Sequence, residues 1–390
     1  MDKPKSRREF IELSLKAGVA VTTLSPTLFS CAAKGEGKEK AASEAPDKLN
    51  ILILGGTSFL GPHQIAYAIS RGHTISTFTR GKTKPKVHRE LFDQVEQLVG
   101  DREDDLTALE NRKWDVVIDN SGRKVDWTKK SAKLLKQNCD LYLYTSSIGV
   151  YFPYTSSNYQ EHDDVLLDLP VGIDQGLKRV YEYGIMKANS ELAAIDEFGA
   201  DKTIVVRPTY MMGPADRTNR FMHWPLRLSR GGEVMVPGKE TDMVQYMDVR
   251  DVAEWMIRLA EEKKSGAFNA VGPKEEQNMY SFVEEAAKAF DTESSFVKID
   301  DHDFLQAQGV EFIMPWIMPT GEYVGSPKVN NDKAKVNGLR FRPLTETMKD
   351  TYDWWKSDAV EQERRDEVEQ NPNSIMAREQ AILEKWRARQ

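Results

Sequence analysis

The chain has 390 residues, 40% of them hydrophobic, and 54 Lys or Arg against 61 Asp or Glu for a formal net charge of -7. That apolar content can bury a sizeable core, which excludes a disordered or collagen-like chain, and the negative balance lacks the field that non-specific nucleic-acid binding requires. Cys31 and Cys139 are too few for a disulfide framework, a thiolate zinc site or a Cys-only iron–sulfur cluster, and no run of about 18 apolar residues is present to span a bilayer.

In chain order, Arg7 and Arg8 precede a mildly apolar, small-residue stretch from Leu13 to Phe29. This combination resembles a twin-arginine export signal, with a surface helix as the alternative. Leu28-Phe29-Ser30-Cys31 resembles a lipoprotein cleavage box in which bulky Phe29 departs from the usual small residue. The expectation is an exported protein that meets the twin-arginine machinery, periplasmic or lipid-anchored at Cys31. Residues 32–48 hold no large apolar side chain and read as a tether, so the globular part is expected from about Leu49.

Leu49 to Leu54 is nearly all apolar, ends at Gly55-Gly56 and leads into helical spacing from Pro62 to Ser70. A strand buried on both faces enters a crossover helix in this way. Apolar runs recur at Thr74–Thr79, Val116–Asp119, Leu141–Thr145 and Thr203–Val206, separated by segments of helical composition. The expected fold is α/β: a doubly wound parallel sheet, with a smaller C-terminal substrate lobe from 210–247 and 274–355 inside a unit spanning 49–355. Within and beyond the lobe, a helix is expected over about Val249–Glu262, a strand at Ala267–Ala270 and a helix from about Ser281 to Phe290. From residue 356 the chain is densely charged, with Ile375, Ile382 and Trp386 on one helical face, so a docked helical tail is expected.

Gly55-Gly56-Thr57-Ser58-Phe59-Leu60-Gly61 lies between the first strand and the first helix, where backbone N–H groups can receive a pyrophosphate. Gly55 permits a tight turn and Gly61 a close helix–strand approach. Ser58 stands where the commoner pattern has a second glycine. Arg80, closing the second strand in place of an acidic residue, reads as a contact for a 2′-phosphate or as a solvated surface arginine; the reading leans to NADP over NAD. Asp101, and Asn120 with Ser121, close the next two strands near the same crevice.

Tyr183 and Lys187 are spaced i and i+4 on one helix face. A phenol titrates near about 10, and a neighbouring cation favours phenolate, so the pair can move a proton at a carbinol carbon. Ser147 follows the fifth strand at its carboxyl end. Together with Val-Arg-Pro-Thr-Tyr-Met-Met-Gly-Pro at 206–214 and Tyr-Met-Asp-Val-Arg-Asp-Val-Ala at 246–253, these blocks resemble the extended and atypical short-chain dehydrogenase/reductases, the NAD-dependent epimerase/dehydratase-like proteins, over residues 49 to 355. The resemblance implies that Tyr183 is the general acid/base, that Lys187 lowers its pKa and holds the nicotinamide ribose, that Ser147 hydrogen-bonds the reacting oxygen, and that Pro208 lies by the nicotinamide.

Arg217, Arg220, His223 and Trp224 read either as a grip on a polar, anionic or sugar-like substrate or as a surface loop, and Tyr246 is grouped with them. The six histidines have no ligand spacing, so no metal site is expected. Cys139 is expected to be a small buried hydrophobe. The leading reading is an exported NAD(P)-dependent oxidoreductase or epimerase acting on a hydroxyl or keto carbon of a sugar-like substrate. Because free dinucleotide is scarce outside the cytoplasm, a redox-neutral reaction with retained cofactor, on free sugars or glycans, is expected. The alternative is a non-catalytic periplasmic dinucleotide-binding or scaffold protein.

Overall fold

The structure, a computed structural model, describes residues 47–326 and 328–389. The twin-arginine segment, Cys31 and nearly all of the tether lie outside the described residues.

Seven parallel strands build the main sheet: β1 (Asn50–Leu54), β2 (Thr74–Thr79), β3 (Glu96–Val99), β4 (Trp114–Asp119), β5 (Cys139–Thr145), β6 (Thr203–Pro208) and β10 (Gly266–Ala270). They lie in the order β10-β6-β5-β4-β1-β2-β3, and the order reverses between β1 and β4. That reversal opens a crevice at the strands' carboxyl ends, where a ligand can enter between the diverging loops.

Alternation along the strands sorts their side chains onto two faces. Ile51, Ile53, Val116, Ile118, Leu143 and Val206 pack under helices α1 (Leu60–Ser70) and α5 (Val249–Glu261). Leu52, Leu54, Val117, Tyr142 and Tyr144 pack under α2 (Val125–Leu135) and α3 (Lys178–Phe198). Both faces are apolar, which is why these strands read as continuous hydrophobic runs. Cys139 is buried at the start of β5, and burial pushes its thiol pKa up to about 12, so it stays a neutral thiol packed among apolar side chains.

A second core gathers the irregular stretches. It is built on helices α4 (His223–Leu228) and α6 (Met279–Ala287) and on the parallel pair β8 (Gly232–Pro237) and β11 (Ser294–Ile299), with the short pairs β7 (Met211–Met212)/β9 (Met247–Asp248) and β12 (Phe312–Ile313)/β13 (Trp316–Ile317) beside it. Helices α7 (His302–Ala307), α8 (Asp332–Val336), α9 (Leu344–Lys356), α10 (Gln362–Glu369) and α11 (Ile375–Arg387) complete the described chain. On α11, Ile382 and Leu383 are buried in the second core and Trp386 packs against it. The buried Glu379 accepts from Met235 N–H at 2.9 Å and pairs with Arg227. Helix α6 begins at Met279, two residues before the expected Ser281, where Asn278 caps it by accepting from Ser281 N–H at 2.9 Å.

Candidate active site

The glycine turn leaves β1 and enters α1 beside the sheet's reversal. Gly55 has φ +90, and a Cβ there would lie 2.7 Å from Ser121 Cβ; a Cβ on Gly61 would collide with the Gly56 carbonyl. Only bare backbone fits between these segments; the Gly55 N–H donates to the Phe78 carbonyl at 3.0 Å and the Gly61 N–H to the Ser58 carbonyl at 3.1 Å, which leaves the N–H groups between them as the candidates for an anion at the start of α1. With Ser58 in place of a second glycine, the unusual backbone falls on the next residue: Phe59 has φ 40 and ψ -87.

The adjoining strand ends are fixed from behind. Asp119 is fully buried and receives both arms of Arg102, the Tyr142 hydroxyl at 2.8 Å and the Ser121 N–H at 3.0 Å. Burial alone would raise its pKa, but the Arg102 charge and these hydrogen bonds hold it below the usual carboxylate range. Asn120 is spanned by Gln64, which accepts its amide at 2.6 Å, and by the Thr145 hydroxyl, which donates to it at 2.7 Å. Asp101 accepts from the Glu103 N–H at 3.0 Å, closing its own loop. Its neighbour Arg102, passed over in the sequence, is the residue that organises this end of the sheet. Arg80 is exposed after β2.

Ser147 follows β5 and caps the 3₁₀ turn Ile148–Tyr151, accepting from Gly149 N–H at 3.0 Å. The turn meets α3 through two glycines: a Cβ on Gly184 would collide with the Gly149 carbonyl, and one on Gly149 would lie 3.1 Å from the Tyr183 ring. That close approach sets the Tyr183 ring beside the turn that Ser147 caps, and the Ser147 side chain opposes the rise of the phenol's pKa. One turn on, Lys187 is only 8% exposed; its ammonium donates to the Thr145 carbonyl at 2.9 Å and sits 5.0 Å from the Tyr144 ring centroid. Burial lowers its pKa to about 8.

Ser147 and Tyr183 thus lie side by side with Lys187 one helical turn on, and the electrostatics differ from expectation. Burial raises the Tyr183 pKa above 10.0, the Ser147 side chain opposes it, and the cations that favour phenolate are Arg220 and Arg123. Lys187 is occupied at the end of β5. Arg123, exposed in the loop after β4, carries no motif that would have singled it out; Gly149 and Gly184 could have been found, since a helix-interior glycine signals a close approach.

The suggested substrate grip is divided. Arg217 reaches Ser58 Oγ at 3.2 Å, and the Arg220 guanidinium lies 5.5 Å from the Tyr210 ring centroid, so these two do face the crevice. Trp224 does not: it is 0% exposed in the second core, edge-on to Phe282, where no ligand can stack on it. His223 is held neutral, its pKa lowered to about 3 by burial, so it supplies no cation. Tyr246 is buried against Phe282 with its hydroxyl donating to Gln277 at 2.7 Å.

These residues fit a nicotinamide dinucleotide. The glycines let the turn pack tightly against Ser121, Thr77 and its own backbone at the mouth of the crevice, Lys187 has donors to spare, and Thr209 Oγ1, one residue after Pro208, is buried without a partner. A doubly wound sheet with a glycine turn at its reversal and Ser147, Tyr183 and Lys187 at the end of β5 defines a Rossmann-type protein of the short-chain dehydrogenase/reductase kind. Residues 51–271 match the NAD dependent epimerase/dehydratase family, and the chain belongs to that family of NAD-dependent enzymes. Among curated proteins it is similar to the chloroplast stem-loop binding protein of 41 kDa b of Arabidopsis thaliana, with 26% identity over 245 residues, which are 59% of this chain and 60% of that protein. Its fold is shared with a putative epimerase from Burkholderia cenocepacia (18% identity, 80% of this chain and 98% of the other, TM-score 0.56). It is shared likewise with UDP-glucuronic acid 4-epimerase from Bacillus cereus in complex with NAD (17%, 79% and 98%, TM-score 0.52).

Proposed function

We propose that the protein is an exported epimerase or dehydratase that acts on a hydroxyl-bearing carbon of a sugar-like substrate and keeps its dinucleotide through the cycle. The observation that carries this reading is the close packing of the Tyr183 ring and Ser147 at Gly149, with the buried Lys187 one helical turn on. A protein that only bound the dinucleotide would have no use for a paired serine and phenol.

A bound nicotinamide dinucleotide, held by the glycine turn and Lys187, would supply reversible hydride acceptance at the substrate carbon. Ser147 holds the reacting oxygen, and Tyr183 Oη removes its proton as the carbonyl forms and gives it back on reduction. Lys187 holds the ribose while tethered to the Thr145 carbonyl. Arg123 and Arg220 favour the phenolate and draw an anionic or strongly polar substrate toward it. Arg80 favours NADP by contact with a 2′-phosphate. The export reading makes free sugars or glycans the natural substrates, since nucleotide sugars are kept in the cytoplasm.

The test is to incubate the NAD- or NADP-loaded protein with free sugars, glycans and nucleotide sugars and follow each by nuclear magnetic resonance. The reading expects a new stereoisomer or an elimination product with no net change in the oxidation state of the cofactor. Product formed one-for-one with reduced dinucleotide would replace it with a simple dehydrogenase, and inert substrates with tight dinucleotide binding would replace it with the scaffold reading.

A further inference from the structure

The segment that follows α9 closes over the glycine turn. Val360, 1% exposed, joins Trp354, Trp355, Ala215, Met222 and Leu226 in a buried cluster. The Phe59 ring packs against this cluster and also against the core beneath α1 and α5. Glu361 pairs with Lys86 from the chain beyond β2. On α10, Arg364 donates through Nε to Asn219 Oδ1 at 3.0 Å and through Nη2 to the Asp216 carbonyl at 2.5 Å, and its guanidinium lies 5.4 Å from the ring centroids of both Trp354 and Trp355. Glu369 accepts from Trp355 Nε1 at 2.8 Å and from Lys356 at 2.9 Å, folding the segment back on α9.

What this segment covers is the strained point of the turn. A phenylalanine at φ 40 and ψ -87 is in backbone territory that side-chain-bearing residues leave unless their surroundings hold them there. Its peptide lies at the start of α1, where the direction of each N–H decides how well an anion is received. The ring lies between the sheet core and the cluster that Trp354, Trp355 and Val360 complete with Ala215, Met222 and Leu226, so the tail helps to set a backbone that no tail residue need touch.

We propose that residues 357–369 form a clasp that fixes the dinucleotide turn through the Phe59 ring, so that the cofactor is retained while the clasp is docked and leaves when it lifts. Phe59 is thus a positioning residue, and the clasp gives the chain a means of holding cofactor through repeated cycles. The proposal rests on the reading that the turn binds NAD or NADP.

The test uses the full chain loaded with reduced dinucleotide and measures its release by loss of fluorescence on dilution, with trypsin cleavage at Arg365 reporting whether the clasp has lifted. Val360→Asp places a charge in the cluster, and Arg364→Ala removes the ties to Asn219 and Asp216. Each should expose the cleavage site and speed release on the order of tenfold, the scale of one strained residue set free. Phe59→Gly, which removes both ring and strain, should release quickly and gain nothing further when Val360→Asp is added. Cleavage of the lifted tail with unchanged release would overturn the clasp, as would full additivity of Phe59→Gly and Val360→Asp; if Val360→Asp does not fold, Arg364→Ala decides. A wild-type chain that binds neither dinucleotide overturns the underlying reading as well, which separates the two failures.

Discussion

Replacing Tyr183 by phenylalanine removes one oxygen from a ring whose packing is already settled. The ring edge lies where a Cβ on Gly149 would be 3.1 Å away, and the residue as a whole is 46% exposed, so the fold keeps its contacts and loses at most one partly solvated hydrogen bond. That loss is worth about 0.5–1.5 kcal/mol, a shift of a few degrees at most in the melting temperature of a domain this large. The chemical step loses much more: without a proton acceptor on the reacting oxygen, turnover should fall roughly 10²- to 10⁴-fold, or about 3–5 kcal/mol in the barrier. Because burial holds the phenol above its ordinary pKa, the oxidation step in the wild type should accelerate about tenfold per pH unit toward that pKa, and the variant should lose this slope. The assay combines single-turnover rates across pH with calorimetric dinucleotide titration. Unchanged turnover, or a preserved pH slope in the variant, would refute the assignment.

The other predictions follow from the same geometry. Folding lowers the Lys187 pKa from 10.5 to about 8, so between those values the unfolded chain holds more protons than the native one, and this residue's contribution to stability rises with pH through that window. At neutral pH the buried ammonium costs roughly 3 kcal/mol, and Lys187→Met should weaken dinucleotide binding while abolishing this alkaline rise, read by urea unfolding at several pH values; identical slopes in the two proteins would disprove it. Arg80→Ala should reduce NADP affinity roughly 10- to 150-fold, from a charge-assisted contact of about 1.5–3 kcal/mol, and leave NAD affinity nearly unmoved; calorimetry showing equal losses would count against a 2′-phosphate contact. Gly184→Ala must push α3 off the Gly149 carbonyl, costing about 1–3 kcal/mol and slowing turnover more than it weakens dinucleotide binding, which unfolding and kinetic measurements together can check. Glu191→Gln should destabilise the fold by about 3–5 kcal/mol, because Arg207, fully buried with it and also bonded to the Tyr151 hydroxyl at 2.7 Å, would keep an uncompensated charge; a melting temperature equal to wild type would contradict this.

Much of the fold was legible because strands buried on both faces cannot alternate: the runs at Leu49–Leu54 and Thr203–Val206 appear as β1 and β6 within a residue or two at each end. The short strands β7, β9, β12 and β13 have only two residues each and offer no period to read. In the site, the i,i+4 spacing of Tyr183 and Lys187 survives folding, but the electrostatic partner of each is set by loops distant in sequence, so the roles of Thr145, Arg123 and Arg220 were hidden. Trp224 was misplaced for a related reason. A tryptophan among arginines suits a ligand platform, yet α4 turns nearly every side chain inward, and the composition of a six-residue helix does not disclose which way it faces. The His63–His88 contact, 3.2 Å between ring nitrogens with His63 also 3.1 Å from the Pro214 carbonyl, likewise joins residues with no shared sequence pattern.

The most direct measurement of the central claim is the small molecule carried by the native protein. Purified without added cofactor, denatured, and examined by absorbance and mass spectrometry, the chain should release close to one nicotinamide dinucleotide per molecule. An empty protein whose measured affinity for both NAD and NADP is weaker than about 10 μM, where dilution alone would strip the site, would contradict the account.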